Sequence, residues 1–189
     1  GHPTSGTLTH WMRRVMAGDL KPESAIEQLN AEAFASPPGA NGLVVLPYFS
    51  GTLTPLYDSG AKGMIFGLDL THTRGDLFRA ALEGIAQATR HIIETYGEAG
   101  HAPKDIYAVG GGVKSKVWSQ VTSDTCNRAQ HIRAKNYGAS FGDAFLAALA
   151  LGDVQVSDIH RWNPVTASIQ PDAALKPLYG RQYEIFRGL

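Results

Sequence analysis

A run of three glycines is the segment of this sequence whose residue types are best suited to bind a ligand. Gly110, Gly111 and Gly112 follow a short apolar stretch and precede Ser115, where a helical pattern begins. Backbone without Cβ atoms lets a ligand approach closely, and the first amide groups of a helix can bind phosphate, ribose or base atoms. Because a tight turn alone does not need three consecutive glycines, we interpret this segment as a candidate nucleotide site.

Two standard phosphate-binding motifs fit the glycine run poorly. The dinucleotide fingerprint needs a third glycine where Ser115 stands, and an acidic residue about 20 positions later, which the segment Gln130–Arg133 lacks. A P-loop needs a glycine directly before its lysine, and neither Lys114 nor Lys116 has one. An NAD-dependent oxidoreductase domain is therefore kept only as an alternative, beside a non-catalytic assembly module.

A second short motif, Gly138-Ala139-Ser140-Phe141-Gly142, has the spacing of a hydrolase nucleophile elbow. That motif needs an apolar strand before it and an acid and a histidine after it, whereas here the preceding segment is polar and His160 is the single histidine that follows. We interpret Ser140 as part of a helix start. The 7 histidines show no metal-ligand spacing, and Cys126 is the single cysteine, so we expect neither a metal site nor an internal disulfide.

The overall composition excludes several classes of protein. Of 189 residues, 43% are hydrophobic and 18% are charged, which is enough apolar material for a compact core. The 17 basic residues balance the 17 acidic ones, which argues against binding to nucleic acid or to an anionic membrane. No apolar run approaches the ~18 residues of a membrane span. A single cysteine fits a reducing compartment, so we expect a cytoplasmic protein.

Strand-like and helix-like patterns alternate between residues 43 and 151, which predicts an α/β fold. The predicted strands are Leu43–Leu46, Met64–Leu68, Ile106–Val109 and Gln130–Arg133. The predicted helices are Thr7–Val15, a segment from Lys21 to about Phe34, Asp76–Tyr96, Ser115–Cys126, Phe141–Leu151 and Leu175–Phe186. Four carboxylates near element ends are interpreted as caps: Asp69, Asp76, Asp124 and Asp143. The helix after Gly138 is predicted to pack closely through its small residues.

Taken together, four ordered motifs resemble the C-terminal domain of the FGGY family of carbohydrate kinases, which includes xylulokinase, ribulokinase and glycerol kinase. The resemblance extends from about Ser5 to Tyr183. The motifs are Leu46–Gly51 with Thr54-Pro55; Gly63–Leu68 with Asp76-Leu77 and Ala80–Glu83; Gly110–Gly112 with Ser115, Trp118, Gln120 and Asp124; and Tyr137–Ala139 with Gly142 and Ala144.

The resemblance implies an α/β, ribonuclease H-like domain of the actin/hexokinase ATPase type, with additional helices. It implies that residues 1–189 are the C-terminal nucleotide-binding domain and that the N-terminal domain, with most sugar contacts and the catalytic aspartate, is absent. The chain would be the ATP-binding half of an enzyme that transfers the γ-phosphate to a sugar or polyol hydroxyl, and it would be inactive alone. The implied cofactors are ATP and Mg²⁺, the latter held mainly by the absent domain.

The resemblance also implies a set of nucleotide-binding residues. In the glycerol kinase branch a helical glycine and the residue four positions later contact nucleotide, and these map onto Gly6 and His10. The full set is Gly6, His10, Gly110, Gly111, Gly112, Ser115 and Lys116. No catalytic residue and no metal ligand is assigned within the chain. The expected partners are ATP or ADP, a sugar or polyol through the absent domain, and a second copy of the chain.

Overall fold

The structure is a computed structural model that describes residues 4–189, in which helices and strands are interspersed along the chain. The helices are α1 (Ser5–Met16), α2 (Ala25–Ala35), α3 (Arg74–Glu98), α4 (Lys116–Cys126), α5 (Ala139–Leu151), α6 (Ile159–Trp162) and α7 (Lys176–Gly188). The strands are β1 (Val44–Leu46), β2 (Met64–Phe66), β3 (Ile106–Ala108), β4 (Gln130–Arg133) and β5 (Val165–Ile169). No helix in residues 4–189 is long and apolar enough to cross a membrane.

The four predicted strands and the six predicted helices are all present, so the α/β prediction is confirmed. Strand β5 was not predicted. Its apolar residues alternate with the small polar residues Thr166 and Ser168, and most of the strand is exposed. The strands form two sheets. Strand β1 pairs antiparallel with β2, and β4 pairs parallel with β3 and antiparallel with β5. Helix α4 supplies the crossover that a parallel β3–β4 pair requires.

Helix α3 is the centre of the core. Helices α1, α2 and α4 pack against it through one buried cluster. Its members are Leu8, Met12, Ala17, Ala25, Leu29, Ala33, Phe78, Ala81, Leu82, Ile85, Ala86, Val117 and Val121. On another side α3 approaches β1 so closely that a Cβ on Gly84 would lie 2.2 Å from the carbonyl oxygen of Val45. Glycine is therefore required at this contact.

The start of α3 is fixed by a capping box. The Thr73 hydroxyl accepts a hydrogen bond from the Asp76 amide, and the Asp76 carboxylate accepts one from the Thr73 amide, which confirms Asp76 as a cap. The same carboxylate accepts hydrogen bonds from Ser36 and Asn41, which tie the end of α2 to α3. Burial opposes ionisation, but these hydrogen bonds outweigh it, so the pKa of Asp76 lies below its usual value.

Two other carboxylates interpreted as caps have different roles. Asp69 caps a turn, because its Oδ1 accepts hydrogen bonds from both the amide and the hydroxyl of Thr71. Asp124 lies near the end of α4 and caps no helix, so that interpretation was wrong. Its Oδ1 accepts hydrogen bonds from the Gln120 side chain at 2.8 Å and from the Asp172 amide at 2.7 Å. Asp124 thus anchors the C-terminal segment, and burial raises its pKa.

The prediction that α5 packs closely through its small residues is wrong for the described part of the chain. Phe145 is the one buried residue of this helix, and its ring lies 5.5 Å from that of Trp162. Gly142 and Ala144 are exposed, and a Cβ on Gly142 would meet no heavy atom within 4 Å. Aromatic contacts, rather than small residues, hold α5 in place.

Candidate nucleotide site

The glycine run forms a bend between β3 and α4. Gly110 has φ of +90°, a conformation that side chains with a Cβ rarely adopt, so glycine is needed there for the backbone. Residues Gly111–Lys114 then form a short 3-10 turn, which the sequence did not predict, before α4 begins. The chain therefore turns twice within six residues: Gly110 forms the first bend, and Gly111 and Gly112 begin the 3-10 turn that follows.

The backbone at Gly111 is open. A Cβ on Gly111 would meet no heavy atom within 4 Å, and this residue has no positive φ. A Cβ on Gly112 would lie 3.4 Å from the ring of Trp118, so part of that position is shielded. Neither strain nor packing within the described residues explains the glycine at position 111. An open backbone of this kind is what close approach by a ligand requires.

The structure shows a structural role for Ser115, which was predicted only as a nucleotide-binding residue. Its hydroxyl accepts a hydrogen bond from the Trp118 amide, which makes it the cap of α4, and it donates one to Asn30 Oδ1 at 2.7 Å. The second bond ties the start of α4 to α2. The Asn30 contact was missed, since it joins residues that are 85 positions apart. Lys116, the first residue of α4, is exposed beside this cap.

The other two predicted residues lie on α1. Gly6 is in its first turn and His10 follows one turn later, so both are on one side of the helix. Both are exposed, and a Cβ on Gly6 would meet no heavy atom within 4 Å. Leu8 and Met12 are buried in the cluster that also contains Val117 of α4. The α1 and α4 segments of the predicted site are therefore held by one core.

Two clefts of the molecule lie elsewhere. The larger, about 570 Å³, is at the α2–α3 junction, where Arg74 pairs with Asp19 and with Glu32 at 2.6 Å each. The smaller, about 390 Å³, lies beside the end of α3 and includes Cys126. Burial raises the pKa of this thiol to about 12, so it is not a reactive nucleophile. Neither cleft is lined by the predicted nucleotide-binding residues. Of these, Gly6, His10, Gly111 and Lys116 are exposed, and Gly110, Gly112 and Ser115 are half-buried.

Glu83 has a structural role. It is the last residue of the second motif in the resemblance described above, the motif that ends with Ala80–Glu83. Its buried Oε1 accepts hydrogen bonds from Arg79 at 2.8 Å, from the Gly39 amide at 2.9 Å and from the Tyr179 hydroxyl at 3.0 Å. Burial raises the pKa of the Glu83 carboxyl. Arg79 in turn donates hydrogen bonds to the carbonyls of Ala33 and Ser36 at the end of α2. The motif thus holds α2, α3 and α7 together.

Ser140 shows none of the contacts of a hydrolase nucleophile. It lies in the first turn of α5 and its hydroxyl donates a hydrogen bond to the Tyr137 carbonyl at 3.1 Å, a local contact at a helix start. Within residues 4–189, no group of three or more histidine, cysteine, aspartate or glutamate side chains could hold a metal ion.

Comparison with known proteins identifies the class. The family model "FGGY family of carbohydrate kinases, C-terminal domain" matches residues 3–151. The xylulose kinase of Staphylococcus epidermidis is 33% identical over 188 residues, which is 98% of this chain and 37% of that protein. The crystal structure of xylulose kinase from Rhodospirillum rubrum superposes with a TM-score of 0.86 at 37% identity, over 97% of this chain and 37% of that one.

A more distant structure shares the fold. Plasmodium falciparum glycerol kinase, solved with ADP, superposes with a TM-score of 0.80 at 22% identity over 99% of this chain. The fold is the ribonuclease H-like α/β type that the resemblance implied. The chain belongs to the FGGY family of carbohydrate kinases, and it spans less than two fifths of the length of these three relatives.

Proposed function

We propose that the chain, residues 1–189, is the C-terminal, ATP-binding domain of a carbohydrate kinase. The whole enzyme would transfer the γ-phosphate of ATP to a hydroxyl group of a sugar or polyol. The observation that carries the proposal is the open backbone at Gly111, where neither φ nor packing in the described residues requires a glycine. Because the relatives named above include xylulose kinases, xylulose is the first sugar to test.

The predicted residues divide into backbone and side-chain roles. Gly111 and Gly112 would let the adenosine part of the nucleotide lie against the main chain, and Gly110 supplies the bend that presents them. His10 and Lys116 are exposed and have hydrogen-bonding side chains that could reach a ligand over this surface. Ser115 keeps one acceptor position beyond its two internal bonds, but its main contribution is to fix the start of α4.

We assign the remaining machinery to the part of the longer relatives that this chain does not span. Phosphoryl transfer needs the sugar, Mg²⁺, the γ-phosphate and a base held in line. Mg²⁺ would neutralise the phosphate charge, and we propose that the other domain holds most of its ligands. We therefore expect the 189-residue chain alone to bind nucleotide weakly and to lack sugar-kinase activity.

The first test is ligand-induced stabilisation of the 189-residue chain in the presence of ATP, ADP or NAD. A ligand that binds only the folded state raises the free energy of unfolding by about 2.7 kcal/mol when its concentration is 100 times its Kd. We expect ATP and ADP to raise the melting temperature and NAD to leave it unchanged. A response to NAD alone would favour the oxidoreductase alternative, and no response to any of the three would favour the assembly module.

The second test is ATP turnover in the presence of xylulose, other pentuloses, hexoses and glycerol. A full-length xylulose kinase serves as the positive control. We expect no sugar-dependent turnover by the 189-residue chain, and sugar-dependent turnover would contradict the proposed division of roles. We also propose that the chain associates with a second copy through exposed apolar surface.

A further inference from the structure

The side chain of Asn30, on α2, contacts the candidate nucleotide site although it belongs to none of the motifs of the resemblance. Asn30 is half-buried, and its Oδ1 accepts a hydrogen bond from the Ser115 hydroxyl at 2.7 Å. Within residues 4–189, this is the one hydrogen bond that the Asn30 side chain makes. The preceding residue, Leu29, is buried in the core cluster around α3. A firmly packed helix thus presents a hydrogen-bond acceptor to the start of α4.

This contact fixes the orientation of the Ser115 hydroxyl. A serine hydroxyl has one proton to donate and two lone pairs that accept. Because the proton is bound to Asn30, a lone pair is directed at the Trp118 amide, which donates a hydrogen bond to the same oxygen at 3.2 Å. Without Asn30, the Trp118 amide alone would restrain the Ser115 side chain. Asn30 therefore secures the cap of α4.

Ser115 and Trp118 in turn hold the glycine run. The Ser115 amide donates a hydrogen bond to the Gly112 carbonyl at 3.0 Å, which closes the 3-10 turn. The Trp118 ring lies beside Gly112, since a Cβ built on this glycine would be 3.4 Å from it. A Cβ on Gly110 or Gly111 would meet no heavy atom within 4 Å, so these two residues have little packing of their own. The position of the open backbone therefore depends on Ser115 and Trp118.

We propose that Asn30 is a positioning residue of the nucleotide site. It does not contact the nucleotide, but acts through Ser115 and Trp118 to keep the glycine run in the conformation that binds. Because this role assumes that ADP lies against Gly111, it rests on the proposed function. When only a fraction of the molecules has the binding conformation, the apparent Kd rises by the inverse of that fraction. Loss of Asn30 should therefore weaken ADP binding without removing a group that ADP touches.

Titration calorimetry of ADP into the wild type and two Asn30 variants tests this role. Leucine has the same branching as asparagine but no acceptor, so Asn30→Leu should raise the Kd for ADP about tenfold. Asn30→Asp keeps an oxygen that accepts the Ser115 proton, so it should restore an affinity close to that of the wild type. The titrations are done at high salt, which screens the added charge.

A matched control comes from the same helix. The side-chain amide of Gln28 is exposed and contacts Glu32 rather than α4. Gln28→Leu makes the same kind of change as Asn30→Leu, from an amide to an apolar side chain, without removing a bond to Ser115. It should leave the Kd for ADP unchanged.

A spectroscopic measurement reports the same effect in the absence of nucleotide. The chain has 3 tryptophans, Trp11, Trp118 and Trp162, and incorporation of fluorotryptophan gives each of them a fluorine NMR signal. Asn30→Leu should shift or broaden the Trp118 signal, which Trp118→Phe assigns, and leave the other two unchanged. Asn30→Asp should return the Trp118 signal to its wild-type position. A general loss of stability would not act on one of the three signals alone.

Three results would overturn the inference and leave the proposed function intact. They are equal ADP affinity in the wild type and a folded Asn30→Leu chain, a loss of affinity that Asn30→Asp does not restore, and an unchanged Trp118 signal in Asn30→Leu. If the leucine variant does not fold, Asn30→Ala also removes the acceptor and should show the same loss of affinity. A wild-type chain that does not bind ADP would overturn the proposed function, and this inference with it.

Discussion

Helices α3 and α5 are both rich in alanine and glycine, but they use these residues in opposite ways. In α3 most of the small residues are buried, and Gly84 lies so close to β1 that a Cβ would be 2.2 Å from a backbone oxygen. In α5 only Phe145 is buried, and Gly142 has open space around it. The sequence pattern is similar, whereas the surroundings differ.

The comparison shows that small residues permit close packing but do not by themselves produce it. For α3, the strand, helices and tail that contact it lie within the described residues. For α5, residues 4–189 supply the aromatic contact with Trp162 and leave the small-residue face exposed. Substitutions on the two helices should therefore have opposite effects on stability.

The largest effect is expected from Gly84→Ala. The new methyl group would overlap the Val45 carbonyl, and strain of this kind in a packed core costs about 1–3 kcal/mol or more. That cost exceeds the gain of up to about 1 kcal/mol from replacing a helical glycine by alanine. Urea unfolding followed by circular dichroism should show a loss of about 2 kcal/mol. An unchanged or higher stability would contradict the close α3–β1 contact.

An intermediate, pH-dependent effect is expected from Asp76→Asn. The amide has one acceptor oxygen where the carboxylate uses two, so it cannot accept both the hydrogen bond from Thr73 and those from Ser36 and Asn41. Unmet buried partners cost about 1–3 kcal/mol. Hydrogen bonding lowers the pKa of Asp76 in the folded state below the value of about 3.9 in the unfolded state. The ionised carboxylate therefore contributes fully to the free energy of unfolding above about pH 3.9, and this contribution is lost as the pH falls through the folded-state pKa. The difference in unfolding free energy between wild type and variant should therefore be largest near pH 7 and shrink below about pH 4. A pH-independent difference would contradict this assignment.

The smallest effect, and of opposite sign, is expected from Gly142→Ala. No atom lies within 4 Å of the new methyl group, so the gain in helix propensity should prevail and raise stability by about 0.5–1 kcal/mol. The same urea titration measures it. A loss of stability would show that the exposed face of α5 has a partner within the chain, and would remove the contrast with α3.

Much of this fold could be predicted from local sequence signals. The apolar run at Val44–Leu46 and the helical spacing of Phe78, Leu82 and Ile85 are strong signals because these residues are buried. The strand signal at Gln130–Arg133 is weak, since only Gln130 of this segment is fully buried. Strand β5 was missed because an exposed edge strand has no apolar run. The role of Asp124 was misjudged, since the amide it binds lies 48 residues later in the chain.

The candidate site was predictable only in part. Consecutive glycines after a strand indicate an open backbone, and the structure has one at Gly111. The Ser115 hydroxyl donates one of its two hydrogen bonds to Asn30, which is 85 residues away. The buried Glu83 carboxylate accepts a hydrogen bond from Tyr179, which is 96 residues away. Contacts of this kind depend on how helices pack against one another, and no spacing within one segment predicts them.

We propose that nucleotide lies against the open backbone at Gly111. Titration calorimetry of ADP into the wild-type chain and into Gly111→Val tests it most directly, with Gly142→Ala as a control and circular dichroism to confirm folding. We expect ADP to bind the wild type and Gly142→Ala equally, and Gly111→Val to bind about tenfold more weakly or worse, which corresponds to a loss of about 1.4 kcal/mol. Equal ADP affinity in a folded Gly111→Val chain would contradict the claim.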